Sequence, residues 1–122
     1  MDYHELIEDY GNAAGISDRQ ARERSATGIL VELAGCLTWG AAQRLADRLP
    51  GPLADDVRSV STGTTMARYQ PEAFVSAIAA RDGVDREEAR RRIRAMIQVL
   101  QKSLGEEVRQ ISEELDRFHS LL

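Results

Sequence analysis

The apolar spacing of residues 3–49 recurs in residues 71–115, and this internal echo limits the possible folds more than any other feature of the chain. At an offset of 68, Leu6 falls on Phe74, Ile7 on Val75, Tyr10 on Ile78, Gly15 on Gly83 and Ala21 on Ala89. The offset then drops to 67, setting Ala26 on Ile93, Leu30 on Ile97, Leu33 on Leu100 and Leu37 on Leu104. By the third segment it is 66, setting Leu45 on Ile111 and Leu49 on Leu115. Self-similarity of this kind is the mark of a duplicated structural unit. A unit of about fifty residues is marginal alone, because it buries too little of its surface. Two copies that cover each other's apolar faces escape that limit. The expected fold is therefore all-α: two tandem three-helix repeats packed as one domain of six helices or slightly more, with a pseudo-twofold relation.

Helix signals support the division. Asp2 with Glu5 reads as a capping box before a first helix from about Tyr3 to Ala13, with Leu6, Ile7 and Tyr10 inward. Gly15 suits the left-handed residue that closes it. Ser17-Asp18-Arg19-Gln20 reads as the next box, before the stripe Ala26, Ile29, Leu30, Leu33 and Leu37. A third helix from about Trp39 to Arg48 turns Ala42, Leu45 and Leu49 inward and is stopped by Pro50-Gly51-Pro52. A short helical turn through Leu53, Val57 and Val60 follows. In the second half, Pro71 opens a helix with Phe74, Val75 and Ile78 inward, and Gly83 closes it. Asp85-Arg86-Glu87-Glu88 caps a helix carrying Ile93, Met96, Ile97, Leu100 and Leu104. A last helix carries Val108, Ile111, Leu115 and Phe118. The Ser-, Thr- and Gly-rich stretch 61–70 lacks apolar periodicity and reads as a connector between a first repeat over 1–60 and a second over 71–122.

Charge and cysteine content narrow the partners. The chain has 16 basic and 20 acidic residues, a net charge of −4, and fifteen of the basic residues are Arg. Residues 1–61 hold six basic and ten acidic groups; residues 62–122 hold ten of each. Neither half is basic enough to condense on a duplex, so nucleic acid is disfavoured as a partner. One Cys excludes an intrachain disulfide framework. The apolar runs are too short for a membrane helix. The acidic, amphipathic start MDYHELIEDY is unlike a secretory signal, so a cytoplasmic location is expected.

The order of these elements resembles the bacterial domain-of-unknown-function family 2267. The residues that carry the likeness are the opening Met1-Asp2-Tyr3 with Leu6-Ile7, and Gly15 before a capped helix with Ala21 and Ile29-Leu30. Leu49-Pro50 at the end of the third helix and the run from Phe74 through Gly83, Ala89 and Leu104 extend it over nearly the whole chain. Where the first unit has Leu49-Pro50, the second has Leu115-Asp116. The resemblance implies an all-helical fold and brings no established activity and no catalytic residues.

Few side chains read as chemistry. Cys36 has no neighbouring His and sits near a helix C-terminus, where a thiolate is disfavoured, so it reads as a buried structural thiol. His4 and His119 lack the companion ligands of a metal site. The acidic pairs at 55–56, 87–88, 106–107 and 113–114 read as solvated faces, since adjacent helical residues point about 100° apart. The run Arg90-Arg91-Arg92 with Arg94 is the sharpest charge feature, and Glu87 and Glu88 are spaced to pair with Arg91 and Arg92. At offset 68, Arg22 and Arg24 fall on Arg90 and Arg92, which would give both copies matching Arg faces. Trp39, the only Trp, reads as edge packing or an interface anchor. Thr62-Gly63-Thr64-Thr65 lacks the Lys of a phosphate-binding loop.

No convergent catalytic set and no cofactor or metal motif is present. The expected function is a non-enzymatic helical interaction or scaffold protein that binds a protein partner or self-associates. The alternative is a small-molecule or nucleotide-phosphate binding domain using Arg22, Arg24, Arg90 and Arg92 near the seam between repeats, with Trp39 as a further contact.

Overall fold

The computed structural model describes residues 2–36, 39–61 and 71–104, apart from the side chains at 36, 39, 41, 60, 61, 71, 103 and 104. The described residues form six α-helices and no strand: α1 (Tyr3–Ala14), α2 (Arg19–Cys36), α3 (Trp39–Arg48), α4 (Gly51–Ser61), α5 (Pro71–Asp82) and α6 (Arg86–Leu104). The all-α expectation holds. Leu37, the connector beyond Ser61, and the final stripe Val108, Ile111, Leu115 and Phe118 lie outside the described residues.

Three aspartates start three of the helices. Asp2 Oδ1 accepts from the Glu5 N–H at 2.8 Å, Asp18 Oδ2 from the Ala21 N–H at 2.9 Å, and Asp85 Oδ1 from the Glu88 N–H at 2.8 Å. Each satisfies one N–H that the first turn leaves without a partner, and its charge suits the helix N-terminus. At α2 the cap is Asp18, one residue later than the Ser17 box expected. Glu88 turns its carboxylate to Arg91 and Arg92 rather than back toward Asp85.

Two of the helices end alike. Gly15 (φ 70°) and Gly83 (φ 67°) take the left-handed conformation that glycine adopts without a Cβ clash. After each, an N–H reaches back five residues: Ile16 to the Gly11 carbonyl at 2.9 Å, and Val84 to the Ala79 carbonyl at 3.1 Å. The glycines are 68 residues apart, whereas the caps Asp18 and Asp85 are 67 apart. The one-residue step thus falls in the turn itself, with Ser17 as the extra residue, and not after Ala21. Counted from the caps, Arg24 is level with Arg91, and Arg92 with Ser25.

The Pro50-Gly51-Pro52 segment both ends α3 and begins α4. Instead of a short turn, α4 runs for 11 residues. Pro52 lies in its first turn, where a missing N–H costs nothing. Leu53, Ala54 and Val57 bury the inner face.

α1 packs on α2 and α6, and α5 packs on α6 and α2; α4 lies against α3 and covers another side of α2. The core forms where these meet. Leu6, Ile7 and Tyr10 join Phe74, Ile78, Ile93, Met96, Ile97 and Leu100 in one continuous cluster with Ile29, Leu30 and Leu33. Every inward residue expected from the stripes whose side chain is described is buried.

Candidate functional site

Four helices share one buried polar chain. Ser25, the one buried polar residue among the described core, donates its hydroxyl to Asp82 Oδ2 at 2.7 Å. A carboxylate only accepts, so the hydroxyl proton is committed there. Tyr10 must then donate to Ser25 Oγ, 2.6 Å away. Arg92 Nη1 gives a second donor to Asp82 Oδ2 at 2.9 Å, and its Nε meets Glu88 Oε2 at 3.0 Å. Burial pushes the Tyr10 phenol up to about 12, against the smaller effect of the Ser25 hydrogen bond. Glu88 is held below its ordinary value, first by the Arg91 hydrogen bond and then, against some desolvation, by Arg92.

Two members of that chain, Asp82 and Arg92, line a cleft of about 630 Å³. Tyr3 of α1, Glu23, Arg24 and Thr27 of α2, Arg81 and Asp82 of α5, and Arg92 of α6 line it. The volume lies in the range of small-molecule sites. Several wall charges are already compensated: Glu23 pairs with Arg19 at 3.2 Å, and Arg92 with Asp82 and Glu88. Arg24 and Arg81 are not: both are exposed, and neither makes a hydrogen bond or ion pair with the described residues.

Gly28 lets Arg81 lie on α2, one turn from Arg24. A Cβ at Gly28 would sit 2.7 Å from Arg81 Cδ and 2.9 Å from Arg81 Nη1. The Arg81 side chain therefore lies directly on the α2 backbone. Gly28 is one turn beyond Arg24, on the same helix face. The cleft lining thus holds two guanidiniums, with five N–H donors each, that no described residue neutralises.

Of the expected Arg set, Arg24 and Arg92 line the cleft and Arg22 and Arg90 do not. Arg22 folds over Gly11, donating to the Ile16 carbonyl and to Asn12 Oδ1. Arg90 reaches Glu72 of α5 at 3.1 Å, and Arg86 joins the same carboxylate. Arg91 pairs with Glu88, not Glu87, and donates to the Ala14 carbonyl at 2.5 Å. The Glu88–Arg92 pair expected from spacing is present. The Trp39 and Cys36 side chains, His119 and the acidic pairs at 106–107 and 113–114 lie outside the described residues. His4 is exposed, with Arg19 Nη1 3.3 Å from its Nδ1. Among the described residues, no three His, Cys, Asp or Glu gather as a metal site, and no helix is long and apolar enough to cross a membrane.

Arg81 was not legible as a site residue. It is an isolated Arg at a helix end, and only packing of α5 on α2 brings it to Arg24. A weak signal was present in Gly28, a glycine inside a helix, which often marks a close approach.

Comparison with known proteins gives one match. The family model described as an uncharacterized conserved protein (DUF2267) matches residues 3–119, and the chain belongs to that family. Neither the curated proteins nor the solved structures contain a match.

Proposed function

We propose that this DUF2267 member is a binding protein that takes a small oxyanion-bearing ligand between Arg24 and Arg81, with no catalytic step. The observation that carries this reading is that Arg24 and Arg81, beside the compensated Arg92, have no partner among the described residues. Guanidinium forks match phosphate and carboxylate oxygens in bidentate geometry. The reading keeps Arg24 and Arg92 from the expected Arg set, replaces Arg22 and Arg90 by Arg81, and needs no metal. A cytoplasmic setting is part of it.

The cleft lies between α1–α2 and α5–α6, which the tandem-repeat reading makes the seam between copies. Two observations support duplication: the matched glycine turns, and the exchange of α1 on α6 for α5 on α2 that a pseudo-twofold would produce. They also favour a second reading, a scaffold whose protein partner or second copy lies along that seam.

Thermal unfolding in inorganic phosphate tests the first reading. Ligand at about a hundred times its Kd adds about 2.7 kcal/mol of stability. The expected result is a rise in Tm that vanishes in the Arg24→Ala, Arg81→Ala double variant. A Tm that phosphate leaves unchanged, with a dimer or partner complex in native mass spectra, favours the scaffold.

A further inference from the structure

The floor of the cleft contains an acceptor as well as cations. Asp82 is a carboxylate with a side chain only 5% exposed. Its Oδ2 takes both donors, Ser25 Oγ and Arg92 Nη1. Its Oδ1 accepts nothing from the described residues, although Asp82 lines the cleft beside Arg81. Among the described residues no buried side-chain polar atom lacks a partner, so Oδ1 opens to the cleft, where a ligand hydroxyl can donate to it in place of water. The dianion of a phosphate monoester satisfies the guanidiniums but has no P–OH left to donate to Asp82. A ligand that joins an oxyanion to a hydroxyl satisfies both.

Resting on the oxyanion reading above, we infer that the ligand is a small phosphate monoester bearing a nearby hydroxyl, a polyol phosphate. Its phosphate lies between Arg24 and Arg81, and its hydroxyl donates to Asp82 Oδ1. A phosphate monoester carries a charge of about −1.5 to −2 near neutral pH, which suits two guanidiniums that no described residue neutralises. The Asp82 carboxylate then acts as a specificity determinant: among phosphate monoesters it favours those that bring a donor.

Substitution by Asn makes the assignment testable. In Asp82→Asn the inner oxygen must still accept from Ser25 and Arg92, so the amide oxygen stays inside and the NH2 takes the place of Oδ1. The group facing the cleft changes from acceptor to donor, and the repulsion of phosphate disappears.

Glycerol phosphate and methyl phosphate, titrated calorimetrically into the wild-type protein and into Asp82→Asn, test this. The wild type is expected to bind glycerol phosphate about tenfold more tightly than methyl phosphate, the worth of one charge-assisted hydrogen bond. Asp82→Asn is expected to reduce that preference, since a neutral amide–hydroxyl bond replaces a charge-assisted one, and to bind methyl phosphate more tightly than the wild type does. Equal binding of the two esters by the wild type overturns the polyol assignment and leaves the oxyanion reading standing. Failure of both to bind overturns the oxyanion reading, and this inference with it. Should Asp82→Asn not fold, the Asp82 carboxyl-carbon NMR resonance of the wild type decides. It is expected to move with glycerol phosphate and not with methyl phosphate; equal movement with both contradicts the assignment.

Discussion

Ser25 on α2 and Asp82 on α5 lie 2.7 Å apart, Oγ to Oδ2, and this one hydrogen bond joins the buried Tyr10 to the charged wall of the cleft. It fixes the direction of the whole chain. Asp82 has no proton to give, so Ser25 donates to it and Tyr10 donates to Ser25. One arrangement of protons then satisfies α1, α2, α5 and α6 together.

Ser25→Ala removes a donor from Asp82 and leaves the Tyr10 hydroxyl, buried in the core, without a partner. The expected loss is about 2 kcal/mol, in the range for stranding a buried polar group. The midpoint of urea unfolding reads it. Tyr10→Phe in the Ser25→Ala background should cost less than Tyr10→Phe alone, because the hydroxyl it removes is already stranded.

Alkaline unfolding should report Tyr10. Its phenol is raised by burial from 10.0 to about 12, so the unfolded chain releases the proton first. Stability is fully present below pH 10 and is lost as pH rises from about 10 to 12, by roughly 2 to 3 kcal/mol in total. Tyr10→Phe should flatten that part of the curve. An unchanged slope between the two proteins contradicts the assignment.

Gly28→Ala should separate binding from folding. The new Cβ would meet Arg81 at Cδ and Nη1, parts of a flexible, exposed side chain that can swing away. Stability should hold or rise by up to about 1 kcal/mol, the helix propensity gained over Gly. Phosphate affinity should fall, because Arg81 leaves the α2 surface near Arg24. Unaltered affinity would mean that Arg81 does not act from the Gly28 surface.

Gly15→Ala and Gly83→Ala should cost similar amounts, roughly 1 to 2 kcal/mol each, since both positions hold positive φ in matching turns. Chemical denaturation of the two variants checks this. A large cost at one and none at the other would argue against equivalent turns.

Much of the framework was legible because helices announce themselves locally. The stripes at Leu6-Ile7-Tyr10 and Ile93-Met96-Ile97-Leu100 follow the 3.6-residue period, and the stops at Gly15 and Gly83 follow from backbone sterics. The cap at α2 shifted by one because Ser17 and Asp18 are both good caps, and the sequence alone ranks them poorly. α4 was underestimated because Pro50-Gly51-Pro52 ends one helix with the same residues that begin another. The site was only half legible. Arg24 and Arg92 stood out in an apparent repeat register, but the third Arg of the cleft, Arg81, is placed by the approach of α5 to Gly28. That approach is tertiary. So is the division of the Arg run, in which Arg90 turns to Glu72, Arg91 to Glu88 and Ala14, and Arg92 to Asp82.

The central claim is that Arg24 and Arg81 form one oxyanion site. Calorimetric titration of inorganic phosphate into the wild type and into the Arg24→Gln and Arg81→Gln single variants and their double variant tests it most directly. The prediction is saturable binding to the wild type, weakened at least tenfold by either single change and abolished by both, with all four proteins equally folded. Binding that survives the double variant, or heat of mixing no larger than dilution for the wild type, would contradict it.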